Sequence, residues 1–249
     1  MGEHPVGTGL FVVIEAADGS GKTAVTDHLV PLLASTGRTV HRIDRARPDG
    51  DGPHAELVRA VNALFRSEAA TAAGWEVLSL AAATQYATIL RSQITPAVRA
   101  GAIVIAESWW DKTRARLALE ATVALDLDSE QHRALTAWQS RLLPPSPLPA
   151  HQHLTVLVDA ALHDRVAWYR AAGCPDPYLD RTGPDSHDPD GFGDFTEHIA
   201  DQLRQVAAER GWPTITNGGH RTVAEAATEL HLLIADQLSP STRPAPEAP

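Results

Sequence analysis

The chain has 249 residues, 43% of them hydrophobic, which suits one α/β domain with a substantial core. Its formal charge of −10 argues against a general nucleic-acid or membrane-surface binder, while leaving room for a local basic pocket for phosphates. With Cys174 as the only cysteine, no charged and apolar leader, and no apolar run near the roughly 18 residues of a membrane span, the expectation is a cytoplasmic protein that binds neither membrane nor nucleic acid.

Short apolar, β-branched runs at 10–15, 39–43, 102–106, 153–158 and 213–216 predict strands. Helical patterns fill the intervals at 22–36, 54–67, 75–99, 113–124, 128–142, 162–172, 194–211 and 222–238. This alternation predicts an α/β fold of three layers: a five-stranded parallel sheet with helices on both faces. The proline-rich stretch 142–149 reads as a loop, and Asn217-Gly218-Gly219 as the turn after the last strand. Residues 173–193 are rich in Gly, Pro and Asp and read as a long mobile lid loop. Residues 239–249 read as a disordered Pro-rich tail. No repeat or domain boundary interrupts the pattern, so a single domain is expected over 1–238.

Between the first strand and the first helix lies Ala16-Ala17-Asp18-Gly19-Ser20-Gly21-Lys22-Thr23. This is the pattern of a phosphate-binding loop, with Ala16 where the full pattern has glycine. Gly19 and Gly21 let the backbone curl so that successive amides face one centre, and the following helix adds the positive end of its dipole. Ala16, Ala17, Gly19, Ser20 and Gly21 are therefore read as the cradle of ATP, Lys22 as the cation on its outer phosphates, and Thr23 as a Mg²⁺ ligand. Lys22 and Lys112 are the only lysines among 21 basic residues, which asks for a reason at each.

From Glu15 to Thr23 the chain resembles the Glu-Gly-x-Asp-Gly-Ser/Ala-Gly-Lys-Ser/Thr loop of thymidylate kinases, with Asp18 at the family's aspartate. Residues 94–105 resemble the family's passage into its Asp-Arg-Tyr/His motif. His153-Leu154-Thr155-Val156-Leu157-Val158-Asp159 resembles its Asp-Leu-Thr-x-x-Leu-Asp strand. Leu179-Asp180-Arg181 resembles the Asp-Arg of its lid, and Thr214-Ile215-Thr216-Asn217 its last strand. The likeness covers about residues 8–236. It implies a P-loop nucleoside monophosphate kinase, Arg181 stabilising charge on the moving phosphoryl group, Asp18 in the catalytic centre, and a homodimer.

The acceptor side departs from that pattern. The Asp-Arg-Tyr/His motif falls on Glu107-Ser108-Trp109. Glu107 keeps a carboxylate that can hold Mg²⁺, but Ser108 cannot supply the charge of an arginine. Lys112, four residues past Ser108, is read as replacing part of it. The family's base-reading Phe-x-x-x-Arg falls near 82–86, where Gln85 and Tyr86 are the polar substitutes. Its Arg-Glu-Pro appears as Ala46-Arg47-Pro48, which leaves Arg47 as an acceptor contact. Trp109 and Trp110 are read either as a stacking surface for an acceptor ring or as core. Arg165 and Arg170 are read as helix-surface residues. Residues 186–197 nearly fit a calcium-loop template but begin with Ser186, and are read as a solvated acidic loop.

The leading expectation is an ATP-dependent kinase acting on a small phosphate acceptor, a nucleoside monophosphate that need not be a thymidine one. Two other readings stand beside it. One is a kinase for a non-nucleotide metabolite, with Asp18 or Glu107 taking a hydroxyl proton. The other is a nucleotide-binding regulator with weak catalysis.

Overall fold

The computed structural model describes residues 9–45, 48, 50–67, 69–173 and 189–239. Five parallel strands form one sheet: β1 (Leu10–Glu15), β2 (Val40–Ile43), β3 (Ile103–Glu107), β4 (His153–Asp159) and β5 (Thr214–Thr216), in the order β2-β3-β1-β4-β5. β1 is central and all six of its residues are buried, as its continuous apolar run predicts for a strand covered on both faces. Its side chains alternate between two cores. Leu10, Val12 and Ile14 face α1 (Lys22–Ala34) and α10 (Val223–Leu238) through Val25, Leu29, Leu230 and Ile234. Phe11 and Val13 face α2 (Pro53–Phe65), α3 (Ala69–Ala73), α4 (Trp75–Ile89) and α5 (Thr95–Arg99) through Val58, Ala70, Leu78, Tyr86 and Val98. These two apolar layers make the predicted three-layer architecture.

The remaining helices are α6 (Trp110–Leu125), α7 (Ser129–Gln139), α8 (Leu162–Ala171) and α9 (Pro189–Arg210). A third apolar cluster joins α8 and α9, where Tyr169 and Phe192 stack with ring centroids 3.9 Å apart. Asp128 and Gln131 close a capping box at α7, and Thr222 and Glu225 close another at α10.

Four elements differ from the sequence reading. The helix expected over 75–99 is broken by a π-helical turn at Leu90–Ile94. Pro96 brings no backbone N–H to the ladder, and the Leu90 carbonyl accepts both the Thr95 backbone N–H, five residues on, and Thr95 Oγ1 at 2.7 Å. The short α3 lies where no helix was expected. α6 starts at Trp110 rather than 113, for a tertiary reason given below. α9 begins at Pro189 rather than 194, so residues 189–193 of the expected lid loop and 189–197 of the expected solvated acidic loop are helical instead, with Phe192, Phe195 and Thr196 buried because both rings join the apolar cluster with α8. Residues 174–188, with Cys174 and the start of the calcium-like stretch, and 240–249 lie outside the described residues. Among the described residues no helix is long and apolar enough to cross a membrane.

Candidate functional site

The parallel strands bring Glu15, Glu107 and Asp159 to one edge of the sheet, the carboxyl edge at which open α/β sheets collect ligands. There β1 passes into the loop before α1. Gly19 and Gly21 have φ of 78° and 74°, the left-handed region that favours glycine. A Cβ at Gly21 would collide with the Asn217 amide, and one at Gly19 would crowd Phe192 and Arg165. Asn217, just past β5, donates 2.9 Å to the Ser20 carbonyl. Ala16 and Ala17 are buried, and Ala16 is not among the described residues with positive φ, so alanine meets the needs of that position.

Both lysines of the chain converge on Asp18. Lys112 Nζ contacts Asp18 Oδ1, and Lys22 Nζ lies 3.8 Å from the same oxygen. Burial pushes the Asp18 carboxyl up, but Lys112 and Lys22 together outweigh it and hold the group well below the usual carboxylate range. Burial pulls the Lys112 ammonium down to about 8, against the opposing attraction of Asp18. Thr23 Oγ1 donates 2.8 Å to Glu107 Oε2, while Glu107 Oε1 pairs with Arg42 on β2. Arg42 also pairs with Asp27, at 2.6 Å.

A cavity of about 670 Å³ opens beside these groups. It is lined by Asp18, Lys22, Gln85, Tyr86, Glu107, Ser108 and Lys112, so seven of the sequence-derived site residues meet in one place. Further lining residues went unpredicted. Thr113, Arg116 and Leu117 continue the Lys112 face of α6 at helical spacing, a signal the sequence does contain. Arg42 and Arg45 come from the carboxyl end of β2. Arg45 donates to the Tyr86 hydroxyl, which sits 2.5 Å from Thr113 Oγ1, and its guanidinium lies 5.0 Å from the Tyr86 ring centre. Burial pushes the Tyr86 phenol up. The Gln85 amide nitrogen donates to the Val58 carbonyl at 3.1 Å and to Asn62 Oδ1 at 2.9 Å. Those internal bonds leave its carbonyl oxygen as the atom able to read a ligand.

Ser108 has φ 55°, one of two positive values among the described non-glycine residues, and its buried hydroxyl has no partner. A strained residue at the end of a central strand is where α/β sites store backbone distortion. The strain turns the chain sharply into α6, whose first turn carries Lys112. That turn is capped from outside the helix: buried Glu15 Oε1 accepts the backbone N–H groups of Asp111 and Lys112 at 3.2 and 3.5 Å. This carboxylate satisfies amides that an uncapped helix start leaves free, which is why α6 begins earlier than its own sequence signals. Desolvation first, and Asp111 second, push the Glu15 carboxyl up to about 7.

Trp109 does not join this cavity. Its ring packs edge-on against Phe11 at 5.4 Å and Tyr86 at 4.6 Å, and Trp110 is buried beside it, so both indoles fill core. Arg165, expected on a helix surface, is fully buried, whereas Arg170 is exposed. Arg47 and Arg181 lie outside the described residues.

No protein-family model matches the chain. Three curated proteins, each named thymidylate kinase, are similar to it. The one from Ruegeria pomeroyi is 35% identical over 108 residues, covering 43% of this chain and 48% of its own. The one from a Bradyrhizobium species is 29% identical over 175 residues, 69% and 70% of the two chains. The one from Hahella chejuensis is 31% identical over 107 residues, 43% and 49%. The chain thus spans about half the length of two of these relatives and more than two thirds of the other. The loop and the five-stranded parallel sheet make a three-layer α/β fold consistent with that of P-loop kinases, and in sequence the chain is similar to these thymidylate kinases.

Proposed function

We propose that this chain is an ATP-dependent phosphotransferase that moves the γ-phosphoryl group of ATP to a nucleoside monophosphate. The observation that carries the reading is the meeting of Lys22 and Lys112 on Asp18 at the wall of one cavity, next to the Thr23–Glu107 pair. Residues 16–23 would cradle the donor's phosphates, with Lys22 on the outer ones. The site's hard oxygen donors, Thr23 Oγ1 and Glu107 Oε2 at 2.8 Å, suit Mg²⁺, which prefers one or two such ligands plus phosphate oxygens. Bound there, Mg²⁺ supplies neutralisation of the charge on the phosphates. Lys112, with Arg42 and Arg45, would hold the acceptor's phosphate across the cavity, in place of the arginine lost at Ser108. Gln85 and Tyr86 lie at the acceptor end. A phosphate oxygen is already a nucleophile, so alignment and charge stabilisation carry the transfer and no general base is needed.

The test is transfer from labelled ATP with Mg²⁺ to each common nucleoside monophosphate. Phosphorylation of at least one is expected. ATP binding with no transfer to any of them would reject this reading in favour of a non-nucleotide acceptor or a regulator. Turnover of dTMP far above all others would instead remove the altered-acceptor part of the proposal.

A further inference from the structure

Behind the phosphate-binding loop a hydroxyl from a distant helix holds its backbone. Thr196 Oγ1, on α9, donates 2.9 Å to the carbonyl of Asp18. The same oxygen accepts from Arg165 Nη1, on α8, at 3.0 Å, and that nitrogen also donates 2.8 Å to the Thr196 carbonyl. A hydroxyl has one proton. With a guanidinium donor on one side, that proton is directed at Asp18. Arg165 is itself fixed. It is fully buried, its Nη2 pairs with Glu197, and Glu197 pairs at 2.8 Å with Arg204. Arg204 in turn grips Asp159, at the end of β4, through bonds of 2.8 and 3.1 Å. The stem of Arg165 also lies against the loop, since a Cβ on Gly19 would sit 3.2 Å from Arg165 Cβ.

The carbonyl of Asp18 and the N–H of Gly19 belong to one rigid trans peptide and point in opposite directions. Holding that carbonyl from behind therefore aims the Gly19 amide the other way. We infer that Thr196, oriented by Arg165, is a positioning residue for ATP: its hydroxyl fixes the Asp18–Gly19 peptide so that the loop is set for phosphate before the ligand arrives. This rests on the proposed donor role of residues 16–23. Pre-set amides bind more tightly than amides that must be ordered on binding.

Two substitutions separate the hydroxyl from the shape. Thr196→Val keeps the volume and loses the hydroxyl, and Thr196→Ser keeps the hydroxyl and loses the methyl. The measurement is calorimetric binding of a non-hydrolysable ATP analogue with Mg²⁺, beside thermal melting of each variant. Thr196→Val is expected to weaken binding about tenfold, the effect of one lost buried hydrogen bond, while Thr196→Ser stays within about threefold of wild type. Wild-type affinity in Thr196→Val, or equal losses in both variants, overturns the inference, the second because packing alone then accounts for the residue. Should Thr196→Val fail to fold, Thr196→Ala against Thr196→Ser differs by the hydroxyl alone and carries the same comparison. A wild-type protein that does not bind the analogue overturns the donor reading itself, an outcome distinct from the other two.

Discussion

Removing the Lys112 ammonium should disable the acceptor side while sparing the donor side. Its side chain is 12% exposed and contacts Asp18 across from Lys22. A hydrogen bond from a charged group contributes about 1.5–3 kcal/mol, so Lys112→Ala should lower kcat/KM for the acceptor by roughly 10- to 150-fold. The KM for ATP should move much less, because Lys22 and the loop amides remain. The pH dependence gives a second signature. Burial pulls Lys112 down to about 8, so the useful charged form dominates below that pH and is lost above it. Acceptor kcat/KM of the wild type should therefore fall about tenfold per pH unit above about 8. Lys112→Arg stays charged over the whole range and should lack that fall. The assay is initial-rate turnover with varied acceptor at saturating ATP, from pH 6.5 to 9.5, with melting curves for each variant. Wild-type acceptor kcat/KM in Lys112→Ala at pH 7 would refute the reasoning, as would identical pH profiles for wild type and Lys112→Arg.

Three further outcomes are expected. Glu15 has its carboxyl raised from 4.5 to about 7, so its contribution to stability is present below about pH 4.5 and lost as pH rises through about 7. That shift corresponds to about 3 kcal/mol, and Glu15→Gln, which does not titrate, should gain about that much on wild type between pH 4.5 and 8. Urea unfolding of both proteins at the two pH values checks it, and a constant difference between them would count against the buried-carboxyl account. Gly21→Ala forces a side chain into the left-handed region and onto Asn217. It should cost about 1–3 kcal/mol and lower Tm by about 3–10 °C, with loss of ATP binding, and an unchanged melt would contradict the geometry. Thr23→Val and Glu107→Gln should each cut Mg²⁺-dependent transfer by about 100-fold or more while the protein stays folded. Turnover in Thr23→Val with the wild-type Mg²⁺ requirement would show that the metal is held elsewhere.

How much of this was legible beforehand follows from the range of each interaction. The sheet and most helices were readable because periodicity and burial are set by neighbours one to four residues apart. The loop was readable because its glycines, lysine and threonine act as one contiguous piece. Lys112 drew attention through its rarity, yet its contact with Asp18 depends on β3 lying beside β1 and on α6 starting at Trp110. That start was not readable from residues 110–113, since the cap is Glu15, 96 residues away from Asp111. Trp109 sits one residue beyond a lining residue and still points into the core, because the strained turn at Ser108 sends the two side chains different ways. An arginine in a short helix reads as solvated, and Arg165 is buried only because Thr196 and Glu197 arrive from α9 to partner it.

By itself, then, the sequence determined the strand–loop–helix unit with its phosphate-loop pattern, and the alternation that makes a parallel sheet. Tertiary structure alone decided which side chains share the cavity, which tryptophans are structural, and how the loop is held from behind. The physical reason is that hydrogen bonds and ion pairs between residues 15 and 111, 18 and 112, or 18 and 196 leave no mark in local periodicity, and form only when the sheet order brings those segments together.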